Sequence, residues 1–142
     1  MFKTILVAVD GSKASEKALE AAINESKIRD SVVNAVYVIE TGMFKDIPTD
    51  STMELLYSRF EAIGTDAFEL GENIAKKSNV EFVSHVKKGH AGEEILKLAD
   101  ELNADLIVMG STGKSNVDKL FLGSVTEYVI RNSKVSTMVV RS

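Results

Sequence analysis

DLIVMGSTGKSNVDKLFLGSV, residues 105–125, runs from an apolar segment through a glycine-rich loop to the start of a second apolar segment. Leu106–Met109 is short and continuous, as a buried strand is. Gly110 ends it, Gly113 follows, and Gly123-Ser124 opens the next segment. Strand, glycine loop and helix start together have the form of a phosphate site. Small residues admit a ligand close to the backbone, and free N–H groups at a helix start attract anions. Gly-Lys-Ser within the loop invites a P-loop reading. That motif needs a glycine five positions before its Gly-Lys, where this chain has Val108. No Gly-x-Gly-x-x-Gly occurs either.

Outward from this stretch the chain alternates strand and helix. Upstream, Glu93–Leu102 is a short amphipathic helix with Ile95, Leu96, Ala99 and Leu102 inward, broken at Asn103-Ala104. The strand Asp105–Met109 follows. Downstream come a helix from Ser124 to about Asn132 and a last strand, Ser136–Arg141. At the other end, Lys3–Val9 is a β-branched apolar run, the pattern of a strand covered on both faces. Asp10-Gly11-Ser12 ends it, with Ser12, or else Ser15, as the cap of a helix reaching about Ile28. Ala14, Ala18, Ala21 and Ala22 give that helix a small-residue face.

Ser31–Ile39 is a second strand. Glu40–Thr52 holds the only proline, Pro48, and is either a surface connection or a lid over a ligand. Met53–Lys77 carries Met53, Leu56, Phe60, Ile63, Ala67, Leu70 and Ile74 at steps of three and four, the stripe of a long helix packed on its own sheet or, less often, of a coiled-coil seam. Gly64 and Gly71 interrupt it, each weakening a helix by about 1 kcal/mol relative to Ala. Val80–Val86 alternates apolar and polar, as an edge strand does. A turn at Gly89–Gly92 leads back to the fourth unit.

Five strands alternating with four helices predict a single α/β domain over 1–142: an open parallel sheet with right-handed crossovers and helices on both faces. Ligands of such sheets bind beyond the C-terminal strand ends, where strand order reverses. Asp10-Gly11-Ser12 and Gly110–Asn116 both lie at such ends. Lys and Arg number 17 against 21 Asp and Glu, a net charge of −4, which argues against a nucleic-acid partner. With no cysteine, disulfides, thiol catalysis and Cys-based zinc sites are excluded, and a cytoplasmic location is expected. MFKTILVAVDGS does not read as a signal peptide, and no apolar run approaches the roughly 20 residues of a membrane span. His85 and His90 lack partners at metal-ligand spacing and are expected to be exposed. No metal site is expected. Glu93-Glu94 and Asp100-Glu101 read as solvated helix faces, and Asp118-Lys119 as surface charge.

Gly110-x2-Gly113-x9-Gly123-Ser124 resembles the fingerprint of the universal stress protein family, in its ATP-binding branch. The resemblance extends along the whole chain. It includes AVDGS after the first strand, Val38-Ile39-Glu40 leaving the second, GEEILKLADELNADLIVMGS across the fourth unit and LGSVTEYVIRNS in the last helix. It implies the adenine nucleotide alpha hydrolase-like fold, strand order 3-2-1-4-5, with the first and fourth strands adjacent at the switch point. It also implies a homodimer through the last strand. Many relatives carry Pro before that strand's apolar run, where this chain has Ser136. By the same resemblance, Asp10 approaches the nucleoside at its ribose, and the backbone around Ala8, Val9 and Val38 holds adenine.

The phosphate roles follow from chemistry. Gly110 and Gly113 let the backbone wrap the phosphates, and Ser111, Lys114, Ser115 and Asn116 donate to them, with Lys114 the cation. Gly123, Ser124 and Val125 open a helix and bind from the other side. The expected cofactor is ATP, with AMP or another adenine nucleotide as alternatives, and Mg2+ is carried by the phosphates. No general base or arginine finger is evident, and Arg131 lies about two helical turns past Ser124. With the resemblance, the leading function is an ATP-binding stress or regulatory module whose bound nucleotide alters its surface or its dimer, with a regulatory protein as partner. The alternatives are a slow Mg-dependent ATPase or nucleotidyl-transfer enzyme, and a dimeric interaction protein that holds no nucleotide.

Overall fold

In a computed structural model, residues 2–44, 51–112 and 123–141 are described. The order is β1 (Thr4–Ala8), α1 (Lys13–Arg29), β2 (Val32–Glu40), a 3-10 turn (Thr41–Phe44), α2 (Ser51–Lys77), β3 (Glu81–Gly89), α3 (Ala91–Leu102), β4 (Leu106–Gly110), α4 (Ser124–Asn132) and β5 (Ser136–Val140). All strand pairs are parallel, in the order β3-β2-β1-β4-β5. This is the expected 3-2-1-4-5 sheet. Order reverses at β1, so the C-terminal ends of β1 and β4 flank the switch point. The tightening of the chain at Thr41–Phe44 and the start of α2 at Ser51 shorten the expected loop, whose residues 45–50 lie outside the described ones.

The two faces of the sheet bury separate cores. Ile5, Val7, Val33, Ala35 and Tyr37 face α1 and α2, whereas Leu6, Val36 and Ile107 face α3 and α4. The alternation is the two-residue period of a strand, and β1 is apolar on both sides because both sides are covered. At the N-terminal end of the sheet, Asp105 accepts from Lys3 N at 2.9 Å and Thr4 N at 3.1 Å, which fixes the start of β1 beside β4.

Helix α1 is capped by Ser12, whose side chain accepts from Ser15 N. Ser15 is the alternative cap of the sequence reading, but it lies inside the first turn and is buried. In α2 the deepest line is Gly64, Phe68, Gly71 and Ala75. It is offset from the predicted stripe, whose Leu70 is exposed. The two glycines explain the offset. A Cβ on Gly64 would stand 2.5 Å from Tyr37 Cδ2, and one on Gly71 2.6 Å from Phe82 Cζ. Both aromatic rings therefore lie against helix backbone.

Candidate nucleotide site

At the C-terminal end of the sheet a cavity of about 320 Å³ opens between β1, β2, β4 and the starts of α3 and α4. Ala8, Val9 and Asp10 line it from β1, Val38 from β2 and Gly110 from β4. Gly123, Ser124 and Val125 line it from the first turn of α4. Two halves of the chain a hundred residues apart thus meet in one crevice. Gly113, Lys114, Ser115 and Asn116 lie outside the described residues. Ser111 does not line the cavity: it is 2% exposed, its N–H donates to Val140 O at 2.9 Å, and its C=O accepts from Gly123 N at 2.7 Å. It ties β4 to β5 and to the start of α4.

The wall contains residues that the motif does not mark. Val36, Ala91, Ile95 and Met109 extend its apolar part, and Ser15, Thr112 and Thr126 its polar part. Val36 was reachable from Val38 by strand alternation. Thr126 Oγ1 donates to Gly110 O at 2.8 Å and so fixes α4 against the end of β4. Nothing in a loop-and-glycine pattern signals that bond. Gly110 itself proves to be glycine for packing: a Cβ there would lie 2.8 Å from Ala14 C and O of α1.

Two sets of backbone groups face the cavity. The N-cap of α4 is Gly123, which makes no side-chain capping bond, and its C=O accepts from Glu127 N. The N–H groups of Ser124, Val125 and Thr126, in the first turn, therefore have no partner within the helix. Val9 N donates to Val36 O at 2.9 Å, after which β1 turns away at Asp10. Two residues on, the N–H and C=O of Val38 point to the same side, toward the cleft that β1 has left.

Charge is held at the rim. Asp10 Oδ1 accepts from Ser12 N at 2.9 Å. Burial first, then the Asp10 carboxylate, raises the Tyr37 phenol above its ordinary 10.0. Glu40 bridges β2 to α3: its Oε2 accepts from Ala91 N at 3.0 Å and its Oε1 lies 2.9 Å from His90 Nδ1. His90 is exposed, as expected. His85 is not: it is half-buried on β3, with Nε2 2.9 Å from the buried Asn34 Oδ1. Burial first, then Lys87, holds its pKa below the ordinary 6.5 against the upward pull of Glu101. Neither histidine lines the cavity.

Fold and cavity together define a doubly wound α/β protein with a cleft at its switch point. The chain belongs to the universal stress protein family, whose family model matches residues 1–141. It is 34% identical over 141 residues to universal stress protein MJ0531 of Methanocaldococcus jannaschii, covering 99% of this chain and 83% of that one. Among solved structures, the hypothetical protein MJ0577, the subject of a structure-based assignment of biochemical function, superposes with a TM-score of 0.90 at 28% identity, over 100% of this chain and 97% of that one. A universal stress protein in complex with cAMP superposes with a TM-score of 0.72 at 25% identity, over 99% and 97% of the two chains.

Proposed function

We propose that this chain is an ATP-binding universal stress protein, a regulatory module whose bound adenine nucleotide changes the surface it offers to a protein partner. One observation carries the reading: Asp10, Val38 and the uncapped first turn of α4 line a single cavity. Its volume of about 320 Å³ and apolar lining suit a nucleoside. Val38 offers a donor beside an acceptor, the complement of the N1 and N6 edge of adenine. The α4 N–H groups suit phosphate oxygens. The complex of a similar protein with cAMP supports this ligand class.

In this reading Ala8, Val9 and Val38 contact the base and Asp10 the ribose. Ser124 and Val125 bind phosphate from the helix side, with Gly123, whose N–H is held by Ser111 O, admitting the ligand close to the backbone, while Gly110, Ser111, Gly113, Lys114, Ser115 and Asn116 form the loop side. Ser111 contributes from outside the cavity, by tying the end of β4 to β5 and to the start of α4. Mg2+ arrives on the phosphates. The cavity is assigned binding, with no catalytic residue. Arg131 is engaged by Glu127 one turn back on α4, at 2.9 Å. The chain acts as one domain in the cytoplasm, and among the described residues no helix is long and apolar enough to cross a membrane.

The proposed homodimer forms through β5. Of the two edge strands, β3 carries Lys87 and Lys88, charges that discourage edge pairing, whereas β5 reads STMVV and carries none.

The test is mass spectrometry of the small molecule released from purified protein, with calorimetry against ATP, AMP and GTP in Mg2+. Retained adenine nucleotide, or ATP binding that GTP does not match, is the expected result. Protein free of nucleotide that gives no heat with any of the three refutes the proposal. Phosphate release above the buffer rate would shift the reading to the enzyme.

A further inference from the structure

The Asp10 turn is tied to α1 by a hydroxyl that the nucleotide reading leaves unused. Ser15 is 6% exposed. Its Oγ accepts from Asp10 N at 3.2 Å and donates to Ser12 O at 3.0 Å. Ser12 N donates to Asp10 Oδ1 at 2.9 Å, and Ser12 Oγ accepts from Ser15 N at 3.1 Å. These bonds close a ring through Asp10, Ser12 and Ser15 that fixes both the backbone and one carboxylate oxygen of Asp10. Among the described residues Oδ2 takes no hydrogen bond, and it is the acceptor left for a ligand hydroxyl.

We infer that Ser15 is a positioning residue: by holding Asp10, it sets the preference of the cavity for a nucleotide that carries free ribose hydroxyls over one that lacks them. The inference rests on the adenine-nucleotide reading above. Without the Ser15 hydroxyl, Asp10 N and Ser12 O lose their shared partner and the turn relaxes. The carboxylate then loses its aim, because its Oδ1 is held by that same turn. The apolar floor and the α4 N–H groups do not depend on Ser15, so the loss is confined to the ribose. A purely structural role would instead lower stability and weaken both ligands alike.

The experiment compares ATP with 2′,3′-dideoxy-ATP by calorimetry on the native chain, Ser15→Ala, Asp10→Ala and the double variant. Ala22→Gly, two turns further along α1, controls for general weakening of the helix. Hydrogen bonds to a charged group predict a native preference for ATP of about tenfold or more. In Ser15→Ala the preference falls to about twofold or less, with dideoxy-ATP affinity unchanged, and in the Asp10→Ala background Ser15→Ala adds nothing, as expected for groups acting through one contact. Ala22→Gly keeps the native preference. Retention of the full preference by folded Ser15→Ala overturns the inference, as does equal affinity of the native chain for the two ligands. Should Ser15→Ala not fold, Ser15→Cys, whose sulfur is only a weak acceptor, is expected to lose the preference in the same way. If the native chain binds neither ligand, the nucleotide reading fails. The link itself is then read by amide exchange at Asp10, expected to be about tenfold faster in Ser15→Ala for an opening made easier by about 1.4 kcal/mol. Unchanged exchange overturns it.

Discussion

Gly11→Ala tests whether the turn at the end of β1 is set by its neighbours or by its own sequence. Gly11 has φ +83°, in the left-handed region, and its missing side chain faces α2: a Cβ would lie 2.8 Å from Ile63 Cγ2. Two costs follow. Placing alanine at that φ costs about 1–2 kcal/mol. Crowding Ile63 costs about 1–3 kcal/mol, toward the low end because a methyl group on a half-buried side chain can shift. The smaller entropy of the unfolded alanine chain returns about 0.4–1 kcal/mol. The net loss is about 2–3 kcal/mol, measured by urea unfolding with linear extrapolation. The two costs separate in the Ile63→Ala background. There the crowding is gone, and Gly11→Ala is expected to cost only about 1 kcal/mol, a coupling of about 1–2 kcal/mol between the sites. Losses that add to within about 0.5 kcal/mol would refute the claim that α2 confines the turn. A Gly11→Ala protein as stable as the native one would refute the turn geometry as well.

Three further outcomes are expected. Thr126→Val keeps the shape of a buried side chain but removes the donor to Gly110 O, and thermal or urea unfolding should show a loss of about 1–2 kcal/mol. His85→Gln should flatten the acid side of the stability profile. Because the folded pKa of His85 lies below its unfolded value, its stabilising contribution is complete above about pH 6.5 and is lost as pH falls through the folded value, so the native chain should lose more than the variant on acidification. Lys114→Ala, in the stretch read from sequence alone, should weaken ATP by about tenfold more than adenosine in calorimetry, and equal losses would remove Lys114 from the phosphates.

Much of the fold was legible because hydrophobic period and strand burial are local. The apolar runs at Thr4–Ala8 and Leu106–Gly110 declare central strands by themselves, and alternation in Glu81–Gly89 declares an edge. The strand order did not follow from period; it came with the family resemblance. What escaped was set by contacts between distant segments. Leu70 falls on the apolar stripe of α2 yet is exposed, because Tyr37 and Phe82 approach Gly64 and Gly71 and rotate the buried line toward the glycines. His85 sits at an edge position that predicts exposure, but Asn34 on the neighbouring strand gives it a partner. In the site, Ser111 carries a hydroxyl beside the phosphate motif and still turns out to be a structural tie, since its backbone is engaged by Val140 and Gly123.

Gly110 lines the cavity and is also packed against α1, whose Ala14 backbone lies where a Cβ would go. The next residue, Ser15, holds Asp10, and Ser12 caps the same turn. The first turn of α1 therefore touches both strand ends that flank the switch point: β4 through Ala14 and the end of β1 through Ser15. Ile63 of α2 presses on Gly11 between them. β1 and β4 pair as far as Val7 and Val108, and their C-terminal ends run on past that pairing. Here one helix turn packs against both ends. The proposed ribose contact of Asp10 then depends on the first turn of α1, while the phosphates are left to the α4 N–H groups and the glycine loop. This is why small substitutions at Gly11 and Ser15, outside the phosphate motif, are expected to reach the ligand.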